Sequence, residues 1–319
     1  MKSKLTKWLV GPAIAALVAT AVVQPAAAAY PDKPITMLIA FSAGGGADTL
    51  GRLVAKAAAK ALGQPVVAVN KPGGGGAVMG GALKNAAPDG YTIGIAVTLS
   101  FAFNPEYSKK TPYKMNDFTY LATVAKAQEG MVSKADKPWK NWGELIAHAK
   151  KGNAITMVSL SPVNLLMAKV ISAKEGITIR PVPVKGGSAM VPQILGGHVD
   201  FGFSGGIHQR YLKPGDKQMR VLASARYERL KRSPDVPTLD ELGYGIGVDN
   251  YFQLAAPKGL PAGVMATLSA ALKSAINDAD VQKLIAKFGM IPQYMPPAEL
   301  DAFMAKSQVA MKALVSKGK

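Results

Sequence analysis

Apolar residues along this chain alternate between short unbroken runs and segments with helical spacing. The run at 35–40 is apolar and has the length and composition of a buried β-strand, and the runs at 65–70 and 91–97 are also typical of strands. Between them, residues 49–62 and 78–86 place their apolar side chains at helical spacing. This alternation predicts a parallel sheet with helices packed on it, and therefore an α/β fold.

The second half of the chain repeats this order of elements. The predicted strands are 155–158, 179–184, 199–203 and 221–224, and the predicted helices are 165–175, 190–195, 262–277, 280–288 and 297–316. Extended segments at 121–132 and 251–256 are predicted to cross between two lobes that enclose a cleft. The predicted boundaries are 30–128 plus 253–319 for the first lobe and 129–252 for the second.

The loop after the first predicted strand reads Phe-Ser-Ala-Gly-Gly-Gly-Ala-Asp, from Phe41 to Asp48. A strand, a glycine turn and a helix N-terminus leave several backbone N–H groups without an acceptor, and this end of a helix carries partial positive charge. Such a loop binds anions. The alternative is a tight strand-to-helix connection with Asp48 as the helix N-cap. The loop by itself does not decide between them.

Two further loops are predicted to meet the first one. Glycines at 73–76 follow the second strand, and a polar loop that begins Thr98-Leu99-Ser100 follows the third. Ligands of open parallel sheets bind beyond the C-terminal ends of the strands. A binding site at this edge of the sheet is therefore expected.

The first 29 residues are typical of a secretory signal peptide. Three of the first seven residues are lysines, residues 9–23 are apolar and uncharged, and residues 26–29 form a small-residue cleavage site. The apolar stretch is short for a membrane span, and a retained anchor is the alternative. We expect cleavage before Ala29 or Tyr30 and a periplasmic mature protein.

Composition argues against several classes of function. The chain has no cysteine, which rules out disulfides, thiol catalysis and cysteine-ligated zinc. Its histidines, His148, His198 and His208, lack the spacing of a metal site, and no cofactor is expected. The net charge is +18, but the lysines are scattered, so nucleic acid is not an expected partner. A positive surface that attracts small anions fits an exported protein better.

Two motifs suggest enzymes. Residues 202–206 match the G-x-S-x-G pattern around a nucleophilic serine, here Ser204. The hydrolase fold in which this pattern occurs requires an acidic residue and then a histidine after the serine. Only His208 follows Ser204, and four residues along the same predicted helix it is poorly placed to act as the base. The glycines at 44–46 and 73–76 match neither G-x-G-x-x-G nor G-x-x-x-x-G-K-[ST], so nucleotide binding is not predicted.

Asp48 and Asp200 together suggest acid–base chemistry. We expect Asp48 instead to cap a helix and Asp200 to be a structural or orienting residue near the hinge. A carboxylate that faces an anionic ligand repels it unless water or a hydroxyl group intervenes.

Motifs spread over nearly the whole mature chain resemble those of one family. They are Tyr30-Pro31-x-Lys33-Pro34-Ile35, Phe41-x-x-Gly44-Gly45-x-x-Asp48, Leu62-Gly63-Gln64-Pro65-Val66, Asn70-x-Pro72-Gly73-x-Gly75-Gly76, Pro88-Asp89-Gly90-Tyr91-Thr92, Pro183-x-Lys185-Gly186, Leu195-Gly196-Gly197-His198-Val199-Asp200 and Pro234-Asp235-Val236-Pro237-Thr238-Leu239. In this order they resemble the Bug/TctC family of extracytoplasmic solute receptors. These are the binding proteins of tripartite tricarboxylate transporters.

The resemblance implies a two-lobed periplasmic binding protein of type II, with two crossover strands, that closes over a carboxylate. Family ligands include di- and tricarboxylates, acidic amino acids and aromatic acids, and the first glycine loop holds one carboxylate through backbone amides and bridging water. The ligand-binding residues that we predict are Ser42, Ala43, Gly44, Gly45, Gly46, Ala47 and Asp48 in that loop, Thr98 and Ser100 beside it, and Ser159, Ser161, Asn164, Gly186, Gly187, Ser188, Asp200 and Ser204 in the opposing lobe.

The sequence departs from the family pattern at three places. Ala40 and Ala43 replace two prolines of the first loop, which makes the unbound loop less constrained but leaves its amides available. Residues 159–164 replace a stretch rich in glycine and serine, and Val184 stands where a tyrosine is common. The last two lie in the lobe that selects the far end of the ligand, so the resemblance does not identify the ligand.

These observations predict a monomeric periplasmic receptor that captures a small organic carboxylate. The receptor would deliver it to the membrane permease subunits of a tripartite tricarboxylate transporter. One alternative is a sensor of the same fold that presents its ligand to a membrane kinase. Another is an exported serine hydrolase that uses Ser204.

Overall fold

The computed structural model describes residues 30–213 and 215–318. The predicted signal peptide, residues 1–29, lies outside the described residues. Within them the chain forms two large β-sheets connected by helices, which confirms the predicted α/β fold. None of the helices in this part of the chain is long and apolar enough to cross a membrane.

The strands and helices alternate through most of the chain. The strands are β1 (Ile35–Ile39), β2 (Val66–Asn70), β3 (Thr92–Val97), β4 (Phe118–Lys126), β5 (Gly130–Lys134), β6 (Ile155–Ser159), β7 (Ile179–Pro183), β8 (Phe201–Ser204), β9 (Leu212–Lys213), β10 (Asp216–Lys217), β11 (Met219–Ser224), β12 (Tyr251–Pro257) and β13 (Ile291–Pro292). The α-helices are α1 (Gly46–Leu62), α2 (Ala77–Lys84), α3 (Thr98–Ala102), α4 (Asn104–Tyr107), α5 (Trp142–Lys150), α6 (Pro162–Glu175), α7 (Gly187–Leu195), α8 (Ala262–Ile276), α9 (Ala279–Lys287) and α10 (Pro297–Ser316).

The two sheets share one strand arrangement. The first has the order β13-β4-β12-β3-β1-β2, and the second has the order β11-β5-β8-β6-β7. In each sheet three strands are parallel, β1–β3 in the first and β6–β8 in the second. An antiparallel strand, β12 or β5, pairs with the third of them. The chain passes to the second sheet between β4 and β5 and returns between β11 and β12, so it makes the two crossovers that were predicted.

The apolar run of β1 forms a strand whose two faces are both covered. Ile35, Met37 and Ile39 on one face of β1 are fully buried, and Leu38 on the other face is also buried. A parallel strand covered on both faces is a continuous apolar run and does not alternate. Helix α1 packs its apolar stripe against α8 and so covers one face of the first sheet.

Local differences from the predicted elements concern helix starts and one buried segment. The loop predicted at Thr98 is the helix α3, and α1 begins at Gly46 instead of residue 49. Residues 226–243 are rich in polar residues and prolines, yet they contain the buried Arg226, Leu230 and Leu239. The side chain of Arg226 is buried because it bonds to the carbonyl of Ala127 in the first crossover.

Candidate functional site

Loops from both sheets meet at a cavity of about 70 Å³. Each of the six parallel strands is followed by a residue that lines it: Gly45 after β1, Gly75 after β2, Leu99 after β3, Ser161 after β6, Gly187 after β7 and Gly205 after β8. The two crossovers add Ala127, Glu129, Asn250 and Phe252. The cavity therefore lies beyond the C-terminal ends of the strands in both sheets, where ligands of such folds bind.

The N-terminus of α1 opens into this cavity. Gly45 is the N-cap residue, with an extended backbone, and Gly46 and Ala47 follow it on the cavity wall. In the described part of the chain, the amides of Gly46 and Ala47 have no hydrogen-bond acceptor. The first amides of a helix lack partners within the helix, and the macrodipole adds partial positive charge there. This end of α1 is suited to an anion.

Asp48 holds the loop and is not the N-cap that was predicted. It is the third residue of α1, and its carboxylate accepts the amide of Gly44 at 2.9 Å, Nε of Arg52 at 2.9 Å and Nδ2 of Asn70 at 2.8 Å. The helix begins earlier than predicted because Gly45 can cap it without a side chain. Asp48 thus fixes the loop against β2 and is not among the residues that line the cavity.

Replacing Asp48 with asparagine is expected to lower the free energy of unfolding by about 1–2 kcal/mol, because charge-assisted hydrogen bonds are weakened in a buried position. Urea denaturation measures this change. Asp301→Asn, at an exposed position in α10, is the control and should leave the stability within about 0.5 kcal/mol. Equal stability of the two variants would refute the role assigned to Asp48.

The N-terminus of α7 faces that of α1 across the cavity. Gly186 caps α7, and its carbonyl accepts the amides of Ala189 and Met190. Within the described residues the amides of Gly187 and Ser188 have no acceptor. A β-carbon built on Gly45 would lie 3.7 Å from each of these two amide nitrogens. The free N–H groups of α7 therefore lie close to the N-terminus of α1.

The two sides of the cleft touch beside these helix ends. The amide of Ser42 donates to the carbonyl of Lys185 at 3.2 Å, and the hydroxyl groups of Ser188 and Ser42 are 3.4 Å apart. Ser42 and Ser188 thus join the rims of the cleft. Ala43 and Gly44 are exposed outside the cavity.

The N-terminus of α6 forms a third part of the wall. Ser161 is its N-cap residue and lines the cavity. Asn164, fully buried, accepts the amides of Leu160 and Ser161 with Oδ1 at 2.8 and 3.1 Å, while its Nδ2 has no partner in the described residues. The hydroxyl group of Ser159 donates to the Ser161 carbonyl, so Ser159 and Asn164 support Ser161 from behind the wall.

Thr98 and Ser100 are buried supports of the site. The Thr98 hydroxyl donates to Oε1 of Gln253 at 3.0 Å, and that of Ser100 donates to the carbonyl of Gly75 at 2.8 Å. Neither side chain lines the cavity, whereas Leu99 between them does. The prediction of a polar loop here was wrong because both hydroxyl groups find partners in distant segments and the backbone forms a helix.

Asp200 lies away from the cavity. Its carboxylate accepts the amide and the hydroxyl of Thr156 at 2.8 Å each and pairs with Lys137 at 3.1 Å. Burial alone would raise the pKa of Asp200, but these hydrogen bonds outweigh it and the pKa is lowered. Thr156 is near the start of β6, at the opposite end of that strand from Ser161. Asp200 therefore has the structural position that we expected for it. It is not among the residues that line the cavity, although it is also one of the predicted ligand-binding residues.

Ser204 and His208 form a buried pair outside the cavity wall. His208 Nδ1 lies 2.8 Å from the Ser204 hydroxyl, so the histidine does reach the serine, contrary to expectation. Both side chains are fully buried, and burial lowers the pKa of His208 to about 3. The same hydroxyl accepts the amides of Gly206 and His208. Their neighbours Phe203, Gly205 and Ile207 line the cavity, whereas Ser204 and His208 do not.

Glu129 is the charged residue of the cavity wall that sequence analysis missed. It is fully buried between β4 and β5, and Oε1 accepts Nδ2 of Asn250 at 2.8 Å. Oε2 has no hydrogen-bond partner within the described residues. Burial raises the pKa of the Glu129 carboxyl to about 7, although the nearby Arg226 opposes this shift. The glutamate gave no signal in the sequence because it stands alone in an extended segment.

The raised pKa predicts a pH-dependent stability of the ligand-free protein. A carboxyl whose pKa is higher in the folded than in the unfolded state stabilises the fold below its unfolded pKa, and this contribution is lost as the pH rises through 7. Glu129→Gln should therefore raise the free energy of unfolding relative to wild type at pH 8, by on the order of 3 kcal/mol, and by much less at pH 5. Urea denaturation at the two pH values measures the difference. A difference that is independent of pH would contradict the prediction.

The remaining wall is apolar. Its side chains belong to both sheets and to the crossovers: Phe41, Val97, Leu99, Leu160, Phe203, Ile207 and Phe252. A small number of polar groups in an apolar cavity is typical of a small-molecule binding site. The cavity thus offers amide donors at one place, a carboxyl at another and an apolar surface around them.

Comparisons with known proteins agree on one family. A family model described as "Tripartite tricarboxylate transporter family receptor" matches residues 50–318. A protein of Cupriavidus necator, "UPF0065 protein in gbd 5'region", is 34% identical over 92% of this chain and 90% of its own length. These matches confirm the resemblance of the sequence motifs to the Bug/TctC family.

Solved structures share the fold. The periplasmic binding protein BugD superposes with a TM-score of 0.82 and is 26% identical, with 91% of this chain and 98% of that chain covered. MatC from Rhodopseudomonas palustris, solved with bound malate, has a TM-score of 0.80 at 24% identity, with 90% of this chain and 100% of that chain covered. The TctC family consists of solute-binding receptors and not of enzymes, which argues against the hydrolase alternative. This chain belongs to that family, the receptors of tripartite tricarboxylate transporters.

Proposed function

We propose that this protein is a periplasmic receptor that captures a small organic carboxylate and delivers it to the permease subunits of a tripartite tricarboxylate transporter. The observation that carries the proposal is the pair of helix N-termini, α1 and α7, whose free amides converge on one cavity. Each amide is a preorganised donor, and each helix end favours negative charge.

In this proposal a carboxylate first binds the α1 side, at the amides of Gly46 and Ala47. Closure of the cleft then brings the amides of Gly187 and Ser188 to the same group. The contact of Ser42 with Lys185 joins the two rims once they have met. The two crossovers are the connections about which such a closure turns, as in other two-lobed receptors.

Two further observations support a carboxylate in the periplasm. The chain carries a net charge of +18, and a positive surface raises the local concentration of anions. MatC, of the same fold, was solved with malate, and BugD is a periplasmic binding protein. We extend both properties to this chain as part of the proposal. Delivery to a permease rests on family membership and on the predicted signal peptide.

A thermal-shift screen tests the proposal. Succinate, malate, citrate, adipate, glutamate, leucine, phenylalanine and benzoate are compared with their amides. At least one acid is expected to raise the melting temperature, since a ligand at a hundredfold excess over its Kd stabilises the fold by about 2.7 kcal/mol. The matching amide, which lacks the anionic group, should give a much smaller shift. Equal shifts by acid and amide, or no shift by any acid, would overturn the proposal.

A further inference from the structure

The carboxyl of Glu129 has an acceptor that the protein itself does not use. Both oxygens belong to a fully buried side chain on the cavity wall, and Asn250 occupies only Oε1. Oε2 is left without a donor in the described part of the chain. An unpaired carboxylate oxygen in a buried position is costly, because it has lost its water without gaining a hydrogen bond. A donor on the ligand would remove this cost.

Arg226 lies near Glu129 but does not pair with it, and its Nε has no hydrogen-bond partner among the described residues. Arg226 donates one nitrogen to the carbonyl of Ala127 and another to Glu228 at 2.8 Å. Asp249, which adds a negative charge near Glu129, lies 3.7 Å from Arg226 and pairs with Lys126 at 3.1 Å.

On the other side of the crossover, the ring of His208 lies behind Gly130, and burial keeps it uncharged. Among the described residues, therefore, no cation is within hydrogen-bonding distance of Glu129.

We propose that the ligand carries a protonated amine that donates to Oε2 of Glu129 while its carboxylate accepts the amides at the N-termini of α1 and α7. Because the rest of the cavity wall is apolar, the ligand class is amino-substituted carboxylic acids with an apolar body, such as the apolar amino acids. This inference rests on the proposed carboxylate-binding function and narrows its substrate class.

A plain dicarboxylate fits the cavity less well. Its second carboxylate would lie against Glu129, and two carboxylates at one place cannot both ionise. One of them must then take up a proton, and binding would weaken as the pH rises above 7. An amine gives the opposite result, because the ionised Glu129 and the ammonium group form a charge-assisted hydrogen bond in a buried site.

Calorimetric titrations with matched ligand pairs test the inference. Each pair differs only by an ammonium group in place of a hydrogen atom: leucine and 4-methylpentanoate, phenylalanine and 3-phenylpropanoate, glutamate and glutarate. At pH 8, where Glu129 is ionised, the amine-bearing member of the best-fitting pair is expected to bind at least about tenfold more tightly, which corresponds to about 1.4 kcal/mol. Equal or tighter binding of the member without the amine would overturn the inference.

The variant Glu129→Gln assigns the effect to this side chain. It should weaken binding of the amine-bearing acid at least about tenfold and change the affinity of its partner by less than about threefold. Glu299→Gln, at an exposed position of α10, is the matched control and should change neither affinity. Because Glu129→Gln is expected to stabilise the ligand-free fold at pH 8, a loss of binding through unfolding shows up directly in its melting temperature. An unchanged affinity of Glu129→Gln for the amine-bearing acid would contradict the inference.

The two proposals fail in different ways. If acids without an amine bind as well as those with one, the receptor function stands and the role of Glu129 is refuted. If no member of any pair binds, and malate, citrate and adipate do not bind either, the carboxylate receptor itself is refuted.

Discussion

Replacing Gly75 with alanine is expected to lower ligand affinity at least about tenfold while both sheets stay folded. Gly75 follows β2 in the first sheet and lies against the start of α6 across the cleft. A β-carbon built on it would lie 2.6 Å from Cβ of Ser161 and 2.9 Å from Cδ of Pro162, at the start of α6. These atoms are close to the backbone and have no free rotation with which to avoid the clash. The cleft therefore has to open, and the amide donors at the N-terminus of α7 move away from the ligand.

Gly75→Ala also strains the backbone, because Gly75 has a left-handed conformation that alanine adopts only with strain. Gly63→Ala is the control for this backbone strain. Gly63 ends α1 with φ of 67°, close to the 61° of Gly75, and a β-carbon there meets nothing within 4 Å. Both variants should lose about 1 kcal/mol of stability from the backbone, but Gly63→Ala should bind ligand normally. Calorimetry measures affinity, and small-angle scattering should show a larger radius of gyration for Gly75→Ala with ligand. If the two variants bind equally well, the contact of Gly75 with α6 does not control closure.

Replacing Gly45 with aspartate is expected to weaken carboxylate binding by at least about a hundredfold and to leave the ligand-free protein as stable as before or slightly more so. Gly45 has the extended backbone of an N-cap residue, with φ of −77°, so the backbone conformation accepts a side chain. A β-carbon there would lie 3.3 Å from the carbonyl oxygen of Ser42, which has to shift by a few tenths of an ångström. Aspartate is a favourable N-cap, and a negative charge at this end of α1 adds about 0.3–1 kcal/mol. Its carboxylate would lie beside the amides of Gly187 and Ser188 and would occupy the place of the ligand.

Gly45→Asn separates charge from size in this test. Asparagine has the same shape and also caps helices, but it carries no charge and competes less well for the amides. We expect its affinity to lie between those of wild type and Gly45→Asp. A thermal melt without ligand and a calorimetric titration with ligand measure both effects. If the asparagine and aspartate variants weaken binding equally, the new side chain displaces the ligand by its size and not by its charge. The proposed anion site at the helix ends would then be refuted.

The fold and part of the site could be predicted because they depend on local sequence. The runs at 35–40 and 91–97 are strands because a buried parallel strand must be apolar on both faces. Gly45, Gly46 and Ala47 lie at the cavity because a helix that follows a strand necessarily begins at the C-terminal edge of the sheet. Helices α1, α6 and α7 each begin three residues before the predicted start, and the glycine N-caps of α1 and α7 have no side chain to mark it.

The residues that were missed or misassigned depend on contacts that are distant in the sequence. Glu129 became a buried wall residue because Asn250, 121 positions away, returns beside it through the second crossover. Thr98 and Ser100 were expected in the site because hydroxyl groups after a strand resemble a polar loop. Their partners Gln253 and Gly75 come from other segments and bury them. Pairings of this kind leave no periodic pattern in the sequence.

A backbone amide NMR titration tests the carboxylate anchor most directly. The ligand is the acid that gives the largest shift in the thermal screen, and the reporters are the amide protons of Gly46, Ala47, Gly187 and Ser188. All four should move downfield on binding, because each gains a charged acceptor. They should move together with one Kd, since one carboxylate serves both helices. Saturable binding that leaves the amide proton chemical shifts of either helix unchanged would contradict the proposed carboxylate anchor.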